Sequence, residues 1–302
     1  MERTVPATVF VNPTAGRGTA GRKLAVAREA FARRKYSVEI AQSASVEEFR
    51  CRVQGAVREG CGTLIAMGGD GTLQLLVGEV VGRDVEVGVI PTGGGNDFAS
   101  ALGIAKNVER AVEVIVRGKT RLVDLVRVRN ADGLNAFYLG GGGIGIDAEA
   151  LRYANGRFVK WPGRLRYLAS AVAALEGFRG VEVETEFPGS DLEKVKKLVL
   201  LAGVLNTPTL GGGLRLAPQA ALDDGLLEVV MIEMLRKREV AALLPRLLVT
   251  GELKSKRVVR MRAAKIRLTT KKGTDFQGDG ELLGKTPVEI ENLHRILRVL
   301  AP

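Results

Sequence analysis

The sequence predicts an α/β first domain over residues 1–128 and a β-rich second domain over residues 129–302. Three observations carry this expectation. Short apolar runs alternate with amphipathic stretches through the first half, and the turns that follow those runs are glycine-rich. Period-two alternation then dominates the remainder.

In the first half, ATVF (7–10), SVEIA (37–41), TLIAM (63–67) and VGVI (87–90) read as strands. Lys23 to Arg34, Val46 to Glu59 and Leu73 to Val81 read as helices, the second with Val46, Phe49, Val53 and Val57 on one face. Strand and helix in alternation imply a parallel sheet covered on both sides, which binds ligands at the carboxyl ends of its strands. Three such ends carry unusual loops: NPTAGRGTAG (12–21), GGDGT (68–72) and PTGGGNDFA (91–99). Together they offer backbone donors and two aspartates, Asp70 and Asp97, a combination suited to a metal-bound polyphosphate.

In the second half, FYLGGGGIGIDA (137–148), GVEVETEF (180–187), KKLVLLAGVL (196–205), LLEVVMIEM (226–234), KRVVRMRAAKIRLTT (256–270) and PVEIEN (287–292) read mostly as strands. Helices are expected near Arg164 to Glu176 and Arg238 to Val249, and the last strand is free to pack back on the first domain. The triple-glycine clusters at 93–95, 141–143 and 211–213 have different flanks, so no internal repeat is read.

The 302 residues are 46% apolar and 26% charged, an ordinary globular composition with enough length for a sizeable core. MERTVPATVF has no apolar core of signal-peptide length, and the longest apolar run, Leu198 to Leu205, is too short for a bilayer span, so a soluble cytosolic protein is expected. Cys51 and Cys61 suggest neither a disulfide framework nor zinc, and the single histidine, His294, has no nucleophile motif beside it. A general base is therefore sought among Asp and Glu. The formal charge of +11 favours phosphate-bearing partners: nucleotides, nucleic acid or an anionic membrane.

GRGTAG matches the dinucleotide pattern G-x-G-x-x-G at Gly16, Gly18 and Gly21, with Glu39 near the end of the next strand. Asn12-Pro13 keeps its first glycine away from the strand end, which counts against that use. The G-x-x-x-x-G-K-[ST] loop and a kinase-type H-R-D loop are both absent from the sequence.

GGDGT is the more specific signal. With Asn12-Pro13-Thr14-Ala15-Gly16, Gly93 to Phe98, and Asp279-Gly280-Glu281, it resembles the soluble diacylglycerol kinase type of bacterial lipid kinase, related to sphingosine and ceramide kinases and distantly to NAD kinases. Gly145 and Asp147 in GIGIDA, Pro218 in GGGLRLAPQA, and Asp224-Gly225 in ALDDGLLEVV extend the likeness over nearly the whole chain, in the family's order.

The resemblance implies a Rossmann-like nucleotide-binding domain, a β-sandwich second domain and an active site in the interdomain cleft. It implies ATP and Mg²⁺ as cofactors, held by Asn12, Pro13, Thr14, Ala15, Gly16, Gly68, Gly69, Asp70, Gly71, Thr72, Gly94 and Asn96. Asp70 would hold or orient Mg²⁺ through water, which explains a carboxylate inside a phosphate-binding turn. Asp279 is the first choice for taking the proton of the lipid hydroxyl, with Glu281 close behind, and Asp97 and Asp124 complete the acidic network. Asp124 in RLVDLV also reads as a strand-end charge. ALDDGLL is similar to the family's structural Mg²⁺ loop, with Asp224 ligating by side chain and Ala221 and Leu226 by carbonyl oxygens; from the residues alone it reads as a turn.

One departure stands out. The family usually carries Gly-Thr-x-Asn-Asp where this chain has Gly93-Gly94-Gly95-Asn96-Asp97, so a threonine hydroxyl expected at the nucleotide is lost. The expected partner is a lipid at an anionic membrane surface, with peripheral association, no nucleic acid, and a homodimer allowed. RYANGRFVKWPGRLRY (152–167) suits such a surface, with Arg and Lys among aromatics including Trp161, and reads equally as a solvated helix with Trp161 in the core. An NAD kinase is the nearest alternative enzyme, but the Asn-Glu motif those enzymes carry downstream of GGDGT is absent and Asp-Gly-Glu favours the lipid group. A nucleic-acid binder would need an aromatic platform or a reading helix, and aromatics are only 5% of the chain.

Overall fold

A computed structural model describes residues 7–11, 20–159, 163–235, 239 and 255–302. The chain divides into two compact units, Met1–Asp124 with Arg295–Pro302, and Leu125–His294.

The first unit is built on the parallel strands β1 (Ala7–Val11), β2 (Val38–Gln42), β3 (Thr63–Gly68) and β4 (Glu86–Pro91), in the order β2-β1-β3-β4. β1 and β3 are buried at every position, as expected of central strands covered on both faces. Around them lie α1 (Ala20–Arg33), α2 (Val46–Arg58), α3 (Asp70–Val80), the short α4 (Asp97–Ala101) and α5 (Val108–Arg117). α2 starts where Ser45 Oγ accepts the Glu48 N–H at 3.1 Å, while Glu48 reaches back to Ala44 N at 2.7 Å, a reciprocal cap. α4 and α5 are additions to the sequence expectation. α5 nonetheless has the helical spacing Val108, Ala111, Val112, Ile115 on its buried face, with Asn107 capping Arg110 N and Gly118 closing it at φ +65°.

The chain passes from β1 through α1 to β2 on one side, then crosses back through α2 to β3 on the other. The strand order therefore reverses between β1 and β3, the place where open α/β sheets take their ligands.

The second unit is antiparallel. Its strands are β6 (Asn135–Tyr138), β7 (Gly141–Gly145), β8 (Val181–Glu186), β9 (Val195–Leu205), β10 (Leu227–Glu233), β11 (Val258–Ala263), β12 (Lys265–Thr270), β13 (Asp275–Gly278) and β14 (Glu281–Lys285). β5 (Thr120–Arg129) and β15 (Val288–Leu300) carry the chain from one unit to the other and back. The path runs β14-β13-β7-β9-β8-β12-β15, with β10 on the other edge of β9 and β11 beyond it. One core takes Val126, Tyr138, Val199, Val204, Val229, Met231, Leu268 and Phe276; a second, on the reverse side of β9 and β10, takes Leu201, Leu205, Val230 and Ile232. Strands buried on both faces lose polar alternation, which is why KKLVLLAGVL and LLEVVMIEM read as unbroken apolar runs.

The structure corrects three details. The stretch 137–148 does not stay strand to its end: from Ile146 it turns into helix α6 (Ile146–Asn155), since Asp147 and Glu149 favour a helix N-terminus over a pleat. The run 256–270 is two strands parted at Ala264, whose carbonyl accepts Asn292 N at 2.9 Å. The last strand continues beyond Asn292 to Leu300. The expected helix near 164–176 is α7 (Gly163–Gly177), whereas the expected helix near 238–249 lies outside the described residues apart from position 239. Among the described residues no helix is long and apolar enough to cross a membrane.

Candidate active site

At the carboxyl end of β3, Gly68 and Gly69 lead into α3, which begins at Asp70. Side chains are excluded where this turn meets the next loop. A Cβ on Gly68 would lie 2.2 Å from Thr72 Oγ1, and one on Gly93 would lie 2.6 Å from the Cα of Gly69. The loops after β3 and β4 thus meet backbone to backbone. Thr92 N donates to Gly68 O at 2.8 Å and continues the ladder past the strand end.

Asp70 fastens the same two loops. Its Oδ2 accepts Asn96 N at 2.7 Å, and its Oδ1 faces Phe98 N at 3.5 Å. Asn96 adopts the left-handed conformation at φ +59°, which asparagine tolerates, and closes the turn with Nδ2 on Gly93 O at 2.7 Å. Burial first, and then the charge of nearby Asp97, pushes the Asp70 carboxyl above its ordinary pKa. Two carboxylates brought together at a strand end repel one another, and a cation between them would relieve that repulsion.

Lys23 Nζ donates to Thr92 O at 3.0 Å and Lys106 Nζ to Gly94 O at 3.5 Å, adding positive charge to the loop after β4. Position 94 is open: a Cβ there meets nothing within 4 Å. Ser43, immediately after β2, was not singled out from the sequence. Its Oγ is buried with no hydrogen-bond partner among the described residues, at the same end of the sheet. A lone hydroxyl after an apolar strand is a weak sequence signal. The expected loop Asn12, Pro13, Thr14, Ala15 and Gly16 lies outside the described residues, as does Trp161.

Asp124 does not end a strand; it sits inside β5, fully buried, and its Oδ1 accepts Arg295 N at 2.8 Å. Arg295 has φ +49°, so this bond holds an uncommon backbone conformation within the first unit.

In the second unit the Asp279-Gly280 turn links β13 to β14. Both residues are left-handed, at φ +51° and +86°. Asp279 is held by three backbone donors: Leu139 N on Oδ2 at 2.7 Å, and Gly140 N and Gly141 N on Oδ1 at 2.9 and 3.1 Å. Asp279 N in turn donates to Gly141 O at 2.9 Å. A proton taken by this carboxylate would remove the charge that strengthens those bonds. Glu281, two residues on, is exposed at its surface and stands outside this cradle. The atoms crowding it nevertheless strip enough water to push its carboxyl above the ordinary glutamate range. Tyr138, with its hydroxyl on Val204 O at 2.9 Å, lies under the turn and is pushed well up, by burial first and by the Asp279 charge second.

In the ALDDGLL loop, Asp224 Oδ1 accepts Leu226 N at 3.0 Å while Oδ2 meets the Arg262 guanidinium. Arg262 Nε also lies 2.7 Å from Glu228 Oε1, and Leu226 O accepts Asn292 Nδ2 at 3.2 Å. A divalent ion at Asp224, Ala221 and Leu226 would share its carboxylate with this guanidinium. Among the described residues no cluster of three or more Asp, Glu, His or Cys forms a metal cage.

Comparison with known proteins accords with this geometry. A model of the diacylglycerol kinase catalytic domain matches residues 6–128, and one of the YegS C-terminal NAD kinase beta sandwich-like domain matches residues 142–301. The chain is 29% identical over 300 residues to a diacylglycerol kinase of Mycobacterium tuberculosis, covering 98% of this chain and 94% of the relative. It is 27% identical to a diacylglycerol kinase of Bacillus subtilis, covering 98% and 96%. A crystal structure of a diacylglycerol kinase from Bacillus anthracis str. Sterne shares the fold with a TM-score of 0.74 at 19% identity, over 98% of this chain and 97% of that one. The chain belongs to the diacylglycerol kinase-type family of bacterial lipid kinases, with an NAD kinase-like second domain. It is a phosphotransferase acting on a hydroxyl group.

Proposed function

We propose that the phosphoryl donor is ATP with Mg²⁺ and that the acceptor is the free hydroxyl of a membrane lipid such as diacylglycerol. The observation that carries the assignment of roles is the contrast within one turn: Asp279 is tied by three backbone donors, whereas Glu281 carries a raised pKa. Glu281 is accordingly the proton acceptor, and Asp279 shapes the turn. The lipid oxygen bonds to the γ-phosphorus, the bond from that phosphorus to the bridging oxygen breaks, ADP departs, and the hydroxyl proton passes to Glu281.

The donor set after β3 and β4 fits a metal carried by a nucleotide. Asp70 and Asp97 supply two carboxylates, and Mg²⁺ is commonly held by one or two carboxylates with phosphate and water completing its shell. Bound there, the ion would neutralise charge on the transferred phosphoryl group. Gly68, Gly69, Gly71 and Gly94 let the backbone approach phosphate, with Thr72, Asn96 and residues 12–16 in the same set. Asp124 acts through the backbone it fixes at Arg295. At Asp224, Ala221 and Leu226 a structural Mg²⁺ would compete with Arg262. The protein works at an anionic membrane surface from the cytoplasmic side, where its +11 charge favours association.

The test is transfer of labelled γ-phosphate from ATP with Mg²⁺ to diacylglycerol, phosphatidylglycerol, sphingosine and NAD, beside Glu281→Gln. Label is expected in diacylglycerol and absent with the variant. Label confined to NAD would overturn the acceptor, and an active Glu281→Gln would overturn the proton acceptor.

A further inference from the structure

The Gly280-Glu281 turn is also held by a bond separate from the Asp279 cradle. Gln277 is buried at 4% exposure on β13, and its two amide atoms face in opposite directions. Oε1 accepts Gly280 N at 3.1 Å, and Nε2 donates to Asp147 Oδ2 at 2.8 Å. Asp147 lies in the first turn of α6, and its Oδ1 accepts Ala148 N at 2.8 Å.

The polarity of this chain of bonds is chemically forced. A backbone N–H can only donate and a carboxylate can only accept, so the amide between Gly280 and Asp147 has a single satisfactory orientation. Burial pushes the Asp147 carboxyl up, and the bonds from Gln277 Nε2 and Ala148 N offset part of that penalty. A side chain at one end of a three-member hydrogen-bonded chain, whose other end is the turn carrying Glu281, is placed to act on that turn.

We propose that Asp147 is a positioning residue of the phosphoryl transfer: through the Gln277 amide it fixes Gly280 and so sets where Glu281 meets the acceptor hydroxyl. The inference rests on Glu281 being the proton acceptor. It assigns a task to the aspartate of GIGIDA. The Asp279 cradle and the Gln277 amide hold the turn by separate bonds, leaving Glu281 the group with freedom to exchange a proton.

Exchange of polarity tests the idea. In Asp147→Asn, every arrangement of the two amides leaves one donor facing another, whether at Ala148, between the side chains, or at Gly280. In Gln277→Glu, two carboxylates face each other. The double variant Asp147→Asn with Gln277→Glu restores a complete chain: the amide nitrogen introduced at position 147 donates to one oxygen of the new carboxylate, and the other oxygen accepts Gly280 N.

For each single variant, kcat is expected to fall about 10- to 100-fold with the nucleotide KM little changed, as a displaced catalytic group costs rate before binding. The double variant should regain most of kcat. A merely structural pair would move thermal stability and leave the kcat-to-KM split alone. Full kcat in Asp147→Asn, or a folded double variant no better than the singles, overturns the proposal. If Asp147→Asn does not fold, Gln277→Met, which removes both bonds without placing two carboxylates together, takes its place; unchanged kcat there is equally fatal. Glu281→Gln separates this from the underlying reading: if that variant stays active, the proton acceptor is wrong and the positioning role falls with it, whereas if it is dead the exchange result alone decides.

Discussion

Asn96 N lies 2.7 Å from Asp70 Oδ2, so the loop after β4 is fastened to the loop after β3 by a carboxylate that also faces Asp97. Asp70 thereby does two things: it clamps a turn, and it holds negative charge where charge is disfavoured.

The second property gives a signed expectation for stability. The folded pKa of Asp70 is raised, so its charged form is penalised in the folded state. Stability from this group is greatest below the ordinary aspartate pKa and declines as pH rises from about 4 toward the raised value. Asp70→Asn should remove that decline while lowering kcat/KM by about 100-fold or more, since the carboxylate proposed to face Mg²⁺ is lost. Thermal melts of the nucleotide-free protein across that range, set beside activity, check it. A melting temperature of Asp70→Asn that declines over this pH range as much as that of wild type would refute the penalty.

Glu281 sets a different pH dependence. A proton acceptor works when ionised, and its pKa is raised, so activity should fall as pH drops through a value above the ordinary glutamate range of about 4.3. The pH profile of kcat/KM is the measurement. An acid limb at or below the ordinary value would show that another group accepts the proton.

Gly94 has room for a side chain, with nothing within 4 Å of a Cβ, and its φ is outside the left-handed range. Gly94→Thr should fold normally and tighten ATP binding by about 2- to 10-fold, the worth of one added hydrogen bond. Calorimetric titration with MgATP would detect it. No gain would mean that the missing hydroxyl is irrelevant to the nucleotide. Gly93→Ala is the contrasting control, since its Cβ would meet the backbone of Gly69 at 2.6 Å.

Arg262 supplies the positive charge beside Asp224 and Glu228. Arg262→Gln should lower stability by about 1–3 kcal/mol, discounted for the exposure of the guanidinium, and make the melting temperature rise with added Mg²⁺. Wild type should respond less to Mg²⁺ or EDTA when nucleotide is absent. Equal responses in both proteins would show that the ion and the guanidinium do not compete.

Sequence periodicity located β1, β3 and α2 well because each has one dominant environment. β1 and β3 are buried throughout, and α2 presents Phe49 and Val53 to the core. Glycine spacing likewise pointed to Gly68 and Gly93, where backbone contact excludes side chains. The roles of Asp279 and Gln277 were harder to read, because they depend on donors from Leu139 to Gly141 and on Asp147, more than 120 positions away in the chain. Spacing in sequence carries no information about which end of an amide faces which partner. α6 was hidden for a related reason: the glycines before it form strand β7, and the change at Ile146 rests on helix-end electrostatics.

The bond from Arg295 N to Asp124 joins the residue at which the chain leaves the first unit to the residue at which it returns. Val299 then pairs with Val87 of β4, and Ala301 N bonds Lys119 O at 3.0 Å. During synthesis, β4 therefore has an uncovered edge and Asp124 lacks this N–H until residues 295–302 have left the ribosome. Translation of the whole second unit separates these partners in time, so the segment made first is completed last.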